Sequence, residues 1–459
     1  LQLIPGVSGT NESSSGLYIR GGTPDQNLVL LDGFTVYHVD HFYGFFSAFN
    51  SDVIKDIQLF KGGFPAEYGG RISSVMDLTG KTGNSNKFSL SGSLSLLSAN
   101  ATVEIPVGKK ANLLISGRRS YTDILKSGLY NNIFDLYNDS GPSNEGNLPI
   151  QARILQNQLQ PSFYFYDLNA KFSYKPTNKD IISVSIYNGE DNLDSSRENQ
   201  NIIGSGTDQE RTINANVEDL LNWGNLGSSV RWARQWGDKF YTNVVGAYSN
   251  YFSQRKRIND ISVQLSDSTI KNKIGLIEDN NLKDFTLRIH NEYKINSKQS
   301  IEFGAQLTKN EVDYNYSIND TITVITQKDK GLLSTIYLQD KWSPTEKLNI
   351  IGGIRATYFD LEDEVFFEPR LSLSYQLNNQ IKLKGAWGKY HQFVNRIVRE
   401  DVSQGSRDFW LLANGKNSPI SFSEHLIIGA SYEIDDWLFD LEFFEPYFFK
   451  IHFFCTMSS

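Results

Sequence analysis

A strict period of two, recurring from about residue 86 onward, constrains this chain more than any other feature. Phe88, Leu90, Leu94 and Leu96 alternate with Ser89, Ser91, Ser93 and Ser95. Phe285, Leu287, Ile289, Tyr293 and Ile295 alternate with Thr286, Arg288, His290, Glu292 and Lys294. Ile301, Phe303, Ala305 and Leu307 alternate with Glu302, Gln306 and Thr308. Successive side chains of a strand point to opposite faces of a sheet. A face carrying Arg288, His290, Glu292 and Lys294 is wet, so the other face must touch something apolar. Candidate strands fall near 87–96, 98–106, 111–119, 161–175, 180–188, 217–235, 239–252, 282–295, 299–313, 332–343, 347–358, 366–377, 380–389, 421–433 and 437–446. Short polar turns join some of them, at Val107–Lys110, Pro176–Lys179, Gln235–Asp238, Asn296–Lys298, Pro344–Glu346, Asn378–Asn379 and Asp435–Asp436. Long polar excursions join others, at 120–160, 189–216, 253–281, 314–331 and 390–420. Turns and excursions alternate. This predicts an up-and-down antiparallel transmembrane β-barrel of the outer-membrane kind, with periplasmic turns and extracellular loops.

Composition agrees. The 459 residues have a mean hydropathy of −0.38, too polar for a helical membrane protein. There is no uncharged run of about 18 apolar residues. In a barrel only every second residue faces lipid, which hides its membrane character. The 29 Phe, 23 Tyr and 36 Gly suit strands and interfacial girdles. A net charge of −8 argues against nucleic acid as a partner. The single cysteine, Cys455, excludes an internal disulfide and a Cys-based zinc site. Residue 1 is Leu, and no signal peptide precedes the pattern. A barrel must be exported, so the true N-terminus is expected to lie upstream.

The first 85 residues read differently. Leu28–Leu31, Val53–Phe60 and Val75–Leu78 are short strand candidates, the first stopped by the turn pair Asp32-Gly33. Residues 44–56 suit a short helix, with Asn50 or Ser51 as N-cap. Together they predict a compact α/β unit with a small core. An independent soluble domain fits this pattern equally well.

Four ordered motifs in this region resemble the plug domain of TonB-dependent outer-membrane receptors. They are Ile19-Arg20-Gly21-Gly22; Leu31-Asp32-Gly33; Ile54–Lys61 running into Gly62-Gly63-Phe64-Pro65-Ala66-Glu67-Tyr68-Gly69-Gly70-Arg71; and Ser73-Ser74-Val75 with Thr79-Gly80-Lys81. The wording from Phe64 to Val75 resembles the Bacteroidetes-type branch. Later segments echo the family's barrel: Tyr337–Trp342, Gly353-Ile354-Arg355, Glu368-Pro369-Arg370-Leu371-Ser372 and Trp387-Gly388-Lys389-Tyr390. The resemblance implies an N-terminally truncated plug over 1–85 in the lumen of a partial barrel over 86–446. About fifteen strands are found where such transporters close with 22. Residues 447–459 lose the alternation and read as an atypical tail, from a truncation or frameshift.

The resemblance also implies a site and partners. Arg20 and Arg71 are expected to pair with carboxylates on the inner wall; the alternative is solvated surface charge. Gly21, Gly22, Gly33, Gly62, Gly63, Gly69 and Gly70 allow tight turns and close approach, and Asp32 and Glu67 complete the plug motifs. Arg288, Glu292, Glu302 and Gln306 are expected to face the lumen, and Phe285, Leu287, Ile289, Ile301, Phe303 and Leu307 the lipid of the outer membrane. Implied partners are the TonB–ExbB–ExbD energy-transducing complex, a surface lipoprotein, and a small nutrient such as a siderophore, vitamin, glycan or peptide. The function implied is active import; a barrel that only displays loops, as a receptor or adhesin, is the alternative. Tyr130, Phe134, Tyr137, Phe409 and Trp410 are aromatic loop residues that suit stacking on a ligand or packing within the loops.

No catalytic set, cofactor or metal site stands out. His38, Asp40 and His41 lie close together but offer too few ligands. The acidic runs at 190–194 and 360–364 lack calcium-loop spacing. Gly204-Ser205-Gly206 lacks a phosphate loop's ending.

Overall fold

In a computed structural model the described residues are 4–9, 17–41, 44, 46–125, 127–130, 161–203, 211–265, 268–319, 322–399, 407–415, 418–435 and 437–449. Phe134, Tyr137, Cys455, the Gly204-Ser205-Gly206 segment and the tail from 450 lie outside them.

The N-terminal unit is built on a mixed four-stranded sheet. β1 (Val7–Gly9) and β2 (Leu17–Ile19) form a separate antiparallel pair. β3 (Asn27–Leu31) is buried at every position, which explains its continuous apolar run. β4 (Phe34–Thr35) turns back on it through Asp32 and Gly33, both at positive φ (48° and 95°). That is the two-residue turn Asp-Gly favours. β5 (Asp40–His41) pairs β6 (Phe46–Ser47). β7 (Ile54–Phe60) lies antiparallel to β8 (Ser74–Gly80), which lies parallel to β3. The helix expected within 44–56 is a 3-10 turn at Ser51–Val53. Asn50 caps it by accepting from the Asp52 amide at 3.0 Å.

The rest of the chain is one large antiparallel sheet. Its strands are β9 (Ser89–Leu94), β10 (Ser98–Val107), β11 (Ala111–Ser120), β12 (Ser162–Tyr174), β13 (Asp180–Asp194), β14 (Arg197–Ile203) and β15 (Arg211–Gln235). Then come β16 (Phe240–Gln264), β17 (Thr269–Asn296), β18 (Gln299–Ile318), β19 (Ile322–Thr345) and β20 (Leu348–Phe359). β21 (Glu364–Gln376), β22 (Ile381–Gln392), β25 (Ser421–Ile434) and β26 (Trp437–Phe449) follow, with β23 (Val394–Arg399) and β24 (Arg407–Leu412) forming a separate hairpin. Neighbours in sequence are neighbours in the sheet, apart from β14, which pairs only with β15. β9 and β26 are the two edges. Every expected short turn falls between two paired strands, and β26 continues to Phe449, inside the segment expected to be atypical.

Two of the expected long loops are strand instead, and residues 131–160 of a third lie outside the described residues. Most of 253–281 and 314–331 is ladder: β17 alone has 28 residues. A tilted strand needs only about 10 to cross the hydrocarbon. Beyond the bilayer both faces meet water, so alternation fades while backbone pairing continues. The 390–420 excursion also folds, as the β23–β24 hairpin. It turns back against the opposite wall, where the Trp410 amide donates to Asn280 at 2.7 Å and Phe409 stacks on Tyr314 at 4.3 Å.

Facing follows the period of two. Phe285, Leu287, Ile289, Phe303 and Leu307 are exposed on the outer face, and Ile301 is half-buried there. Glu302 is buried, and Arg288, Glu292 and Gln306 are half-buried, on the face toward the N-terminal unit. That unit touches strands right across the sheet. Asn50 reaches Ser116 of β11, Lys171 of β12 reaches Asp32, and Arg20 reaches Glu442 of β26. It sits inside the curve of the sheet.

Candidate functional site

The interface between plug and wall gathers most of the motif residues, and its ionic and hydrogen-bonded contacts are interleaved with aromatic ones such as Phe64 on Tyr390 at 4.3 Å. Arg20 has a positive φ of 51° and follows the β2 strand into the Gly21-Gly22 turn. Its guanidinium pairs with Glu442 and lies 4.9 Å over Phe444. Lys61 at 3.1 Å and Lys384 at 2.8 Å complete the cluster around Glu442. Asp32 receives Lys171 at 2.5 Å and Ser185 at 2.9 Å, both from the wall.

Arg71 departs from expectation. It forms no ion pair with a wall carboxylate among the described residues. Its guanidinium donates to the Gly70 carbonyl at 2.9 Å and lies 5.6 Å over Tyr37 and 5.4 Å over Trp410. The β23–β24 hairpin brings Trp410 there, and an aromatic face takes the place of the carboxylate. Tyr37 donates to Asp284 at 2.9 Å. Burial and Asp284 push its hydroxyl well above the usual range, so it stays a neutral donor.

Other wall contacts run the opposite way, from wall arginines to plug carbonyls. Arg370 donates to the carbonyls of Pro65 at 2.6 Å and Tyr68 at 2.7 Å. Arg355 donates to those of Ala66 at 3.2 Å and Glu67 at 3.1 Å. Glu368 holds both arginines, at 2.9 Å from Arg370 and 3.7 Å from Arg355. Gln339 accepts the Ala66 amide at 2.8 Å and donates to Glu302 at 2.8 Å; Lys341 also pairs with Glu302. The Gly62–Gly70 loop is therefore clamped by the barrel segments whose wording echoed the family. Gly69 is required by contact, since a Cβ there would lie 2.4 Å from Arg355 Nε; at Gly63 it would lie 2.7 Å from the Ala386 Cβ. Glu67 faces His290 at 3.5 Å. Burial raises the Glu67 carboxyl above its ordinary range, and His290 only partly offsets this. Gln306 accepts weakly from Arg355 at 3.4 Å, and Glu292 lies opposite Glu302 in the ladder.

His41 makes a second ionic contact that sequence reasoning did not assign. It is held between Asp167 at 2.7 Å and Asp191 at 2.5 Å, stacked on Phe165 at 4.4 Å. Arg118 also pairs with Asp167, at 2.5 Å. Burial alone would push His41 down, but the two carboxylates outweigh it and raise it to about 9. His38 is engaged separately, with Asp40 at 3.1 Å and Trp223 at 2.8 Å. No cluster of metal-ligating side chains occurs among the described residues. A cavity of about 430 Å³ opens between the outer end of the plug and the β23–β24 hairpin, lined by Tyr37, His38, Asp40, Arg71, Arg396 and Trp410 among others. Tyr130, by contrast, is fully buried within a separate aromatic cluster.

Comparison with known proteins places this geometry. The family model "TonB dependent receptor-like, beta-barrel" matches residues 147–395, and that of the "TonB-dependent Receptor Plug Domain" matches residues 1–75. The chain belongs to the TonB-dependent receptor family. Among solved structures, a mutant of the ferric enterobactin receptor PfeA from Pseudomonas aeruginosa is similar at 15% identity with a TM-score of 0.61, over 97% of this chain and 67% of that one. The siderophore receptor PirA from Pseudomonas aeruginosa is similar at 13% identity with a TM-score of 0.62, over 97% and 70%. The outer membrane transporter YddB from Escherichia coli is similar at 11% identity with a TM-score of 0.60, over 95% and 64%. The chain thus spans about two thirds of these structures, which share its fold. No curated protein sequence matches it. This TonB-dependent receptor is an outer-membrane protein of a class that binds ligands and transports them rather than an enzyme. No described helix is long and apolar enough to cross a membrane; in a barrel of this family the strands make the crossing.

Proposed function

We propose that the chain binds a small nutrient, a siderophore, vitamin, glycan or peptide, in the outer cavity and passes it to the periplasm when the plug is pulled. TonB, energised by ExbB and ExbD, supplies the pull. The observation that carries this reading is the chemistry of the plug–wall contact. The wall holds the plug through ion pairs and hydrogen bonds to backbone carbonyls. Such contacts exchange with water as they break, so a tethered force can undo them one at a time. The long outer hairpins offer the surface on which a lipoprotein partner would sit. Uptake by cells expressing the protein tests this. Labelled candidate nutrients should accumulate only with a proton-motive force and an intact TonB. Accumulation without either would refute the gated-importer reading.

A further inference from the structure

An interior cavity of about 60 Å³ lies deeper, between the plug and strands β17 to β20. Three arginines line it: Arg71 from the plug, Arg288 from β17 and Arg355 from β20. A guanidinium carries five N–H donors, and burying its charge without acceptors is costly. Here acceptors are short. The buried Nε of each of the three has no hydrogen-bond partner. Arg71 is 6% exposed; its guanidinium reaches only its own neighbour's carbonyl and the Tyr37 hydroxyl, and no carboxylate among the described residues pairs with it. Arg288 makes no hydrogen bond or close ion pair among the described residues; Glu67 and Asp77 feel its charge only through space. Arg355 is the best served, donating to the Ala66 and Glu67 carbonyls and to Gln306 and sharing Glu368 with Arg370, so only its Nε is open.

One carboxylate lines the cavity, and its oxygens are taken. Asp284 accepts from Tyr37 at 2.9 Å, Thr35 at 3.2 Å and Thr286 at 2.7 Å. The remaining wall is hydroxyl-rich. Thr286 bonds Thr308 at 3.0 Å and Thr335 bonds Thr357 at 3.1 Å; the second pair, with one proton in its own bond, can turn the other inward. The space exceeds that of one water and suits a group of a few heavy atoms.

We propose that this cavity is an oxyanion site. Arg71, Arg288 and Arg355 would grip a phosphate, sulfate or carboxylate group, which then bridges plug and wall. The site stands apart from the import reading, because it needs no energy coupling. The inner cavity shares Thr35, Tyr37 and Arg71 with the outer one. The oxyanion therefore has two possible sources: a free ion, or the anionic end of a larger molecule lying in the outer cavity.

Thermal unfolding in detergent micelles tests this, with inorganic phosphate and phenyl phosphate as probes and sodium chloride as the ionic-strength control. Phosphate should raise the midpoint beyond chloride at equal ionic strength. Arg288→Gln should weaken that response about tenfold in phosphate concentration. Arg71→Lys keeps the charge but loses the planar fork, so it should weaken the response too; it serves if Arg288→Gln fails to fold. A response to phosphate alone identifies a free ion, and a response to both probes identifies the end of a larger molecule. Selenate soaked into crystals should give an anomalous peak between the three arginines. A phosphate effect no larger than chloride's, or one kept in full by both variants, would overturn the proposal, as would selenate bound only elsewhere.

Discussion

At the scale of single residues, the plug is held by a few buried ionic contacts whose partners can be tested singly. Glu368 is buried between Arg355 and Arg370. Removing one member of a buried ionic cluster leaves uncompensated charge, at a cost of about 3–5 kcal/mol. Glu368→Gln should therefore lower plug stability by that order, read by denaturant unfolding in micelles; an unchanged midpoint would remove Glu368 from the clamp. His41 gives a pH signature. Its affinity for a proton is higher folded than unfolded, so its contribution is full below about pH 6.5 and is lost as pH rises through about 9. Asp167 and Asp191 face it directly, and Arg118 and Tyr187 act on it through Asp167. Unfolding midpoints should fall between those pH values in wild type, and less in His41→Gln; parallel pH curves would contradict the assignment. Sequence pattern did not reveal these pairs. Arg370 and Pro65 are 305 residues apart, and no periodicity encodes such a contact. Arg355, Glu368, Arg370 and Gln339 all lay in segments that echoed the family, but nothing in their wording showed that they hold plug carbonyls. Arg71 misled because a cation in a lumen can lie over aromatic rings, here Tyr37 and Trp410, instead of beside a wall carboxylate.

At the scale of elements, the period of two placed fifteen strands along the path of the sheet, because lipid on one face and water on the other write it into the sequence. Where strands leave the bilayer that constraint ends, and the hairpin extensions of β16 to β19 read as loops. This gives a positional test. Leu287 is exposed opposite Leu307 in the ladder, and Ile270 is exposed near the outer end of β17. Leu287→Arg should cost about 2–4 kcal/mol in a bilayer, and Ile270→Arg close to zero. Folding titrations in liposomes measure both. Equal costs would mean that the lipid band lies elsewhere on β17.

At the scale of the whole molecule, two bodies meet through a seam of ionic and hydrogen-bonded contacts with small apolar clusters between them. The wall is joined strand to strand by continuous backbone ladders, whereas the plug joins the wall through the separate contacts of Arg20, Asp32, His41 and the 62–70 loop. A receptor built this way should yield first at the plug. Force spectroscopy on the protein in a bilayer, pulling from the N-terminal end of the plug, tests that directly. The account predicts that the plug extends at lower force than any barrel strand, with the sheet still intact, and that Glu368→Gln lowers this force further. Extension of the plug only together with barrel strands would contradict it.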